Sequence, residues 1–119
     1  MSIKANKGSR LLFYSLLLIL TGCFSTKLLT PAQSDVDRVK NKFPGYSLAQ
    51  LQNGKALYEN YCKGCHGLKD PASKTEEEWN QIVPAMSKLV NKRKSVLDAQ
   101  SQQEIYHYVV TMSTSMKPK

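Results

Sequence analysis

The sequence predicts a small all-α domain, and three observations support this prediction. Three stretches after residue 46 carry apolar residues three and four positions apart, which is the period of a helix with one buried face. Two of these stretches begin with residues typical of helix N-termini. The chain has 119 residues, which leaves room for one domain with one core.

The first 22 residues predict a secretory signal peptide. Lys4, Lys7 and Arg10 precede an apolar run over residues 11–20. A ten-residue helix covers about 15 Å, which is about half of a hydrocarbon core of about 30 Å. The alternative, a permanent N-terminal transmembrane anchor, is disfavoured because the run is too short.

The end of the apolar run resembles a bacterial lipobox. Leu20-Thr21-Gly22-Cys23 places an aliphatic residue and two small residues before a cysteine. The resemblance implies cleavage before Cys23 and acylation of its thiol, and several acyl chains anchor a protein stably. It also accounts for the odd number of cysteines, three in all. A free or disulfide-bonded Cys23 is the alternative.

The resemblance to lipoproteins implies a protein on the periplasmic side of a membrane. Phe24 rather than aspartate follows Cys23, which favours the outer membrane in a proteobacterial host. The chain has 17 Lys and Arg against 9 Asp and Glu, a formal charge of +8. An exported protein does not meet nucleic acid. The excess of cations is therefore expected to bind an anionic membrane or an acidic protein, or only to keep the protein soluble.

Residues 23–46 are predicted to be the lipidated N-terminus and a tether. Pro31 and Pro44-Gly45 interrupt the segment, and it has no sustained helical or strand period. Residues 35–39 could form one helical turn. The folded domain is therefore predicted to span residues 47–119.

Three main helices are predicted in this domain. Ser47 is the expected N-cap of the first helix, and Thr75 and Glu78 have the spacing of a capping box for the second. Pro84 should kink or end the second helix near Val83, because proline lacks the N–H of the helical ladder. The last helix is expected to start at Ser95 or Ser101 and to bury Ile105, Tyr108, Val109 and Met112.

The motif that carries chemistry is Cys62-Lys63-Gly64-Cys65-His66, which is the attachment motif of a c-type haem. The two thiols form thioethers with the haem vinyl groups, and the adjacent imidazole binds the iron. A thioredoxin-like pair would need a βαβ context, and a zinc site would need two more ligands. A covalent haem would also stabilise a domain whose core alone rarely supplies more than about 3–5 kcal/mol.

The segment from Gly54 to Gly67 resembles the first helix and haem motif of the class I cytochromes c. The resemblance implies one covalent haem c, with Cys62 and Cys65 as thioethers and His66 as the proximal iron ligand. It further implies that Gly54 and Tyr58 pack against the last helix, with partners from Ile105, Tyr106 and Val109. The implied fold is about three main helices around the haem.

Met86 is the predicted distal iron ligand. It follows Trp79 by seven residues, which resembles a subgroup of small class I cytochromes, although the family's methionine usually lies just before the last helix. Trp79 would pack against the haem or be an ordinary core residue. The other candidates are Met112, expected in the core, Met116, and His107, expected to be exposed; Met86 could also be only a core residue.

The resemblance implies an electron carrier rather than an enzyme, working with redox partner proteins. Six cations could ring the haem edge as a docking surface for an acidic partner, or could simply be solvated: Lys63, Lys69, Lys88, Lys92, Arg93 and Lys94. One alternative is a gas-binding or sensor protein with five-coordinate iron. Another is a cytochrome subunit of a larger oxidoreductase.

Overall fold

The computed structural model describes residues 27–93 and 96–115, and the regular secondary structure in these residues is helical. Four helices and one short 3₁₀ turn occur in these residues, and no strand does. The helices are α1 (Gln33–Val39), α2 (Leu48–Cys62), α3 (Glu76–Arg93) and α4 (Ala99–Ser113), and the 3₁₀ turn is Pro71–Ser73. The predicted all-α class is therefore confirmed.

Two of the predicted helix starts are confirmed by their hydrogen bonds. The amide of Gln50 donates to Ser47 Oγ at 3.3 Å, and the Ser47 amide donates to Gln50 Oε1 at 2.9 Å. Thr75 and Glu78 make the same reciprocal pair, at 3.2 and 2.8 Å. Each pair satisfies amides that have no partner within the helix.

The predicted start of the last helix is wrong. Asp98 caps α4, and its Oδ1 accepts from the Ser101 amide at 2.7 Å. Ser101 therefore lies inside the first turn, while Ser95 lies outside the described residues. An aspartate competes well for this position because its carboxylate also interacts favourably with the positive end of the helix.

Pro84 does not end the second helix, contrary to the prediction. Helix α3 continues through it to Arg93. The proline ring lies on the exposed side, whereas Val83 and Ser87 are buried on the other side, and Ser87 Oγ donates to the Val83 carbonyl at 2.7 Å. Packing of that buried side outweighs the one missing ladder bond.

Helices α2 and α4 form the most extensive helix pair. A β-carbon on Gly54 would lie 2.9 Å from that of Tyr108, so only glycine allows this approach. The Tyr58 and Tyr108 rings also meet, with centroids 5.9 Å apart. The predicted packing of Gly54 and Tyr58 against the last helix is confirmed, with Glu104 and Tyr108 among the contacts.

The segment predicted to be a tether is part of the folded domain over its described length, residues 27–46. Leu28, Val36 and Tyr46 belong to the buried core. Arg38 donates to the Thr111 carbonyl at 3.1 Å and to Thr114 Oγ1 at 2.6 Å, at the end of α4. The predicted tether therefore does not extend over residues 27–46. Helix α1 has only seven residues, which is too short for a recognisable period in the sequence.

His107 is not exposed, although exposure was predicted. Its ring stacks on Phe43 at 4.1 Å between centroids and meets Tyr46 edge-on at 4.6 Å. Met112 is 4% exposed, which confirms its predicted place in the core. The contacts of His107 with residues 43 and 46 further fix the N-terminal segment to α4.

The predicted signal peptide (residues 1–22), Cys23 and Met116 lie outside the described residues. Within residues 27–93 and 96–115, no helix has the length and apolar character needed to cross a bilayer.

Candidate functional site

A cavity of about 370 Å³ opens between the end of α2, helix α3 and the start of α4. This volume lies within the range of about 300–1,000 Å³ typical of cofactor and ligand sites. Its walls are largely apolar side chains from all three helices, with a few cations at the margin. The apolar and aromatic wall residues are Tyr58, Tyr61, Trp79, Ile82, Val83, Leu89, Val90, Leu97 and Ile105.

All five residues predicted from the sequence to contact the cofactor line this one cavity. Cys62 is the last residue of α2, and Cys65 and His66 follow it in the next turn. Trp79 and Met86 lie seven residues apart on α3, so they project from the same face of that helix. The cavity therefore has thiols and an imidazole on the α2 side and a thioether on the α3 side.

The two thiols differ in environment. Cys62 is half-buried, and burial, with a smaller contribution from Cys65, raises its pKa to about 11. Cys65 is exposed, and its sulfur lies 3.2 Å from an Arg93 guanidinium nitrogen on α3. Arg93 thus connects the far end of α3 to the cysteine turn. No disulfide joins Cys62 and Cys65, so each carries a free thiol.

His66 is exposed and has one ring nitrogen engaged. Its Nδ1 lies 2.8 Å from the Gly67 carbonyl, which accepts a hydrogen bond when that nitrogen carries the proton. The Nε2 lone pair is then available to a metal, and a backbone carbonyl on the other nitrogen is the usual partner of a metal-bound histidine. The local backbone therefore favours the tautomer that an iron ligand needs.

Trp79 is 2% exposed and forms part of both the core and the cavity wall. Its indole Nε1 donates to the Pro71 carbonyl at 2.9 Å, and its ring meets Tyr58 edge-on at 6.0 Å. Tyr58 in turn donates to the Lys69 carbonyl at 2.8 Å, and burial raises its pKa to about 12. These two hydrogen bonds hold the segment between α2 and α3 against the helices.

Met86 is the one candidate distal ligand, among the described residues, that lines the cavity. It is half-buried there. Met112 lies in the core, and His107 packs against Phe43 and Tyr46 in a different part of the domain. The structure thus brings Met86 to the thiols and imidazole, and it does not bring Met112 or His107 there.

Several cavity residues were not predicted. Leu97 and Ile105 enter from the α4 side, and Lys74 also lines the cavity. The helical spacing of Ile105 predicts that it is buried, but it does not predict which residues it packs against. Of the six cations predicted to ring the cofactor, Lys69 and Arg93 line the cavity, whereas Lys94 lies outside the described residues.

The donor set and the apolar lining of the cavity fit a haem. Apolar walls suit the faces of a porphyrin, two cysteines could form thioethers with its vinyl groups, and an imidazole and a thioether could bind its iron. Within the described residues, no cluster of three or more His, Cys, Asp or Glu side chains could hold a bare metal ion.

Comparison of the chain with protein families, curated proteins and solved structures gives no match. The functional argument therefore depends on the residues and their geometry.

Proposed function

We propose that this protein is an exported, lipid-anchored mono-haem cytochrome c that carries single electrons between redox partner proteins. One observation carries the proposal. Cys62, Cys65, His66 and Met86, which span 25 residues of the chain, line a single apolar cavity. If the two cysteines and the methionine were only structural residues of the core, they would not need to line the same cavity.

Each of these side chains has a defined task. Cys62 and Cys65 would hold the porphyrin through thioethers to its vinyl groups. His66 would bind the iron through Nε2, while the Gly67 carbonyl holds Nδ1. Met86, on α3, would supply a thioether as a second protein ligand to the iron. When bound, the haem supplies an iron that cycles between the ferric and ferrous states.

The surroundings favour electron transfer over substrate chemistry. A thioether ligand stabilises ferrous iron and raises the potential relative to two imidazoles. Ile82, Val83 and Ile105 line the cavity with apolar side chains that exclude water, and Met86, if bound to the iron, would leave no open position for a substrate or gas. The protein is thus proposed as an electron carrier rather than an enzyme.

The proposed location follows from the lipobox-like sequence at Leu20–Cys23. Acylation of Cys23 would place the haem domain on the periplasmic side, on the outer membrane in a proteobacterial host. Its partners would be membrane-associated redox proteins, docked through acidic surfaces near Lys69 and Arg93, which line the cavity.

The absorption spectra of the oxidised and reduced protein test this proposal. The wild type should show a c-type haem with a weak sulfur-to-iron charge-transfer band in the ferric form. The variant with both Cys62→Ala and Cys65→Ala should hold no haem after denaturing extraction. A wild type whose ferrous form lacks a sixth ligand and binds carbon monoxide rapidly would instead identify a gas-binding protein.

A further inference from the structure

A second depression, of about 600 Å³, borders the same turn that carries the haem motif. Three lysines line it, Lys27, Lys55 and Lys63, and together they are called the basic face below. Glu59 is the one carboxylate that lines it among the described residues, and Lys55 pairs with it at 2.9 Å. The basic face therefore keeps a net positive charge.

The chain runs onto the basic face as it enters the folded domain. Leu28 is 6% exposed and belongs to the core, and Pro31 is also buried. The backbone is therefore held in place from Leu28 onward. Lys27, the residue before it, lines the basic face.

This arrangement limits how far the domain can lie from an acyl group on Cys23. Four residue steps separate Cys23 from Lys27, and an extended chain of that length spans at most about 14 Å. A tether over the whole of residues 23–46 would have reached about 80 Å. The domain must therefore stay within about 14 Å of the lipid surface on the side where Lys27 lies.

We propose that the basic face lies against the phosphate headgroups of an anionic bilayer. The inference rests on the acylation of Cys23, which is part of the proposed function. The lysine ammonium groups and the lipid phosphates attract each other over about one Debye length, about 8–10 Å. This distance is comparable with the maximum of about 14 Å that the chain between Cys23 and Lys27 allows. The domain is thereby held in one orientation at the membrane, with Lys63 of the haem motif turned to the lipid.

Lysine labelling on vesicles tests this orientation. The acylated holoprotein is reconstituted in phosphatidylcholine alone or in equal parts of phosphatidylcholine and phosphatidylglycerol, and then treated with an impermeant amine-acylating reagent. Mass spectrometry should show labelling of the three basic-face lysines at least about fivefold slower on the anionic vesicles, and high salt should remove the difference. Lys40, Lys88 and Lys92 are exposed controls whose labelling should not change.

A charge-matched pair of variants separates this surface from the overall charge. On anionic vesicles, backbone hydrogen exchange in residues 63–68 of the wild type should be slower than on neutral vesicles. Changing all three basic-face lysines to glutamine should remove this slowing. Changing Lys40, Lys88 and Lys92 to glutamine removes the same charge and should leave that slowing intact.

Two outcomes would overturn the inference. Equal labelling on both kinds of vesicle, in a preparation that floats with them, would overturn it while leaving the haem spectrum and the electron-carrier proposal unaffected. A preparation that does not float would overturn both the anchor and the orientation, and the spectrum would still decide the haem separately.

Discussion

Gly54 on α2 lies directly against Tyr108 on α4, so closely that a β-carbon on Gly54 would be 2.9 Å from the Tyr108 β-carbon. The Glu104 carbonyl lies closer still to that position. This contact joins the helix that ends in the cysteine motif to the helix that closes the cavity. The shape of the site therefore depends on a glycine outside it.

Gly54→Ala should destabilise the protein by about 1–3 kcal/mol, because the added methyl forces the two backbones apart. At an unobstructed helical position the same change would stabilise by about 1 kcal/mol. Chemical denaturation of the holoprotein measures the difference. Ala56→Gly is the control, since Ala56 lies on the exposed side of α2, where glycine should cost only about 1 kcal/mol. Equal stability of wild type and Gly54→Ala would show that the helices do not meet this closely.

Stability should fall between pH 7.5 and 5.5 because of His107. Burial lowers its pKa below 6.5, and the opposing effect of Glu104 is smaller. Since the unfolded imidazole takes up a proton at a higher pH than the folded one, the stabilising contribution is complete above about pH 6.5 and is lost as the pH falls towards the folded pKa. Phe43 and Tyr46, which enclose the ring, offer no carboxylate.

Thermal melting at the two pH values, compared between wild type and His107→Gln, isolates this effect. The subtraction cancels the contributions of the groups that both proteins share. The variant should lose less stability on acidification than the wild type. An identical loss in both proteins would assign the pH dependence to other groups.

Pro84→Ala should stabilise α3 by up to about 3 kcal/mol, because it restores the missing N–H within a helix that already continues through this position. Pro44→Ala is the matched control. Pro44 lies outside the helices, where replacing proline frees the unfolded chain and should cost about 0.4–1 kcal/mol. Denaturant midpoints measure both, and a destabilised Pro84→Ala protein would show that the proline itself is needed for packing.

Local signals made part of the fold predictable. The caps at Ser47 and Thr75 depend on residues three positions away, so their spacing is visible in the sequence. Helix α1 was predicted only as a possible turn over residues 35–39, because part of its stability comes from distant contacts, such as that of Arg38 with the end of α4. The prediction that Pro84 would end the helix was wrong for the same reason, because tertiary packing outweighs the local effect of the proline.

The same distinction between local signals and tertiary contacts applies to the candidate site. Cys62, Cys65 and His66 are contiguous, and Trp79 and Met86 share a helix face, so sequence spacing could place them. The approach of Arg93 to Cys65 and the entry of Leu97 into the cavity depend on how α3 and α4 cross the cysteine turn. Periodicity within one helix carries no information on such crossings.

Met86→Ala should erase the sulfur-to-iron charge-transfer band and open the ferrous protein to carbon monoxide. Met112→Ala is the control, because Met112 is buried in the core and its loss should cost about 2–5 kcal/mol while leaving the band in place. Absorption spectra and carbon monoxide titration measure both. A band that survives in Met86→Ala would require another distal ligand.

The mass of the purified, exported protein tests the central claim most directly. If Cys62 and Cys65 carry a haem, the intact mass should equal the mature acylated chain plus one haem, and the haem should remain on the peptide containing residues 62–66 after denaturation and proteolysis. A chain without the added haem mass, whose Cys62 and Cys65 both react with a thiol reagent after unfolding, would contradict the claim.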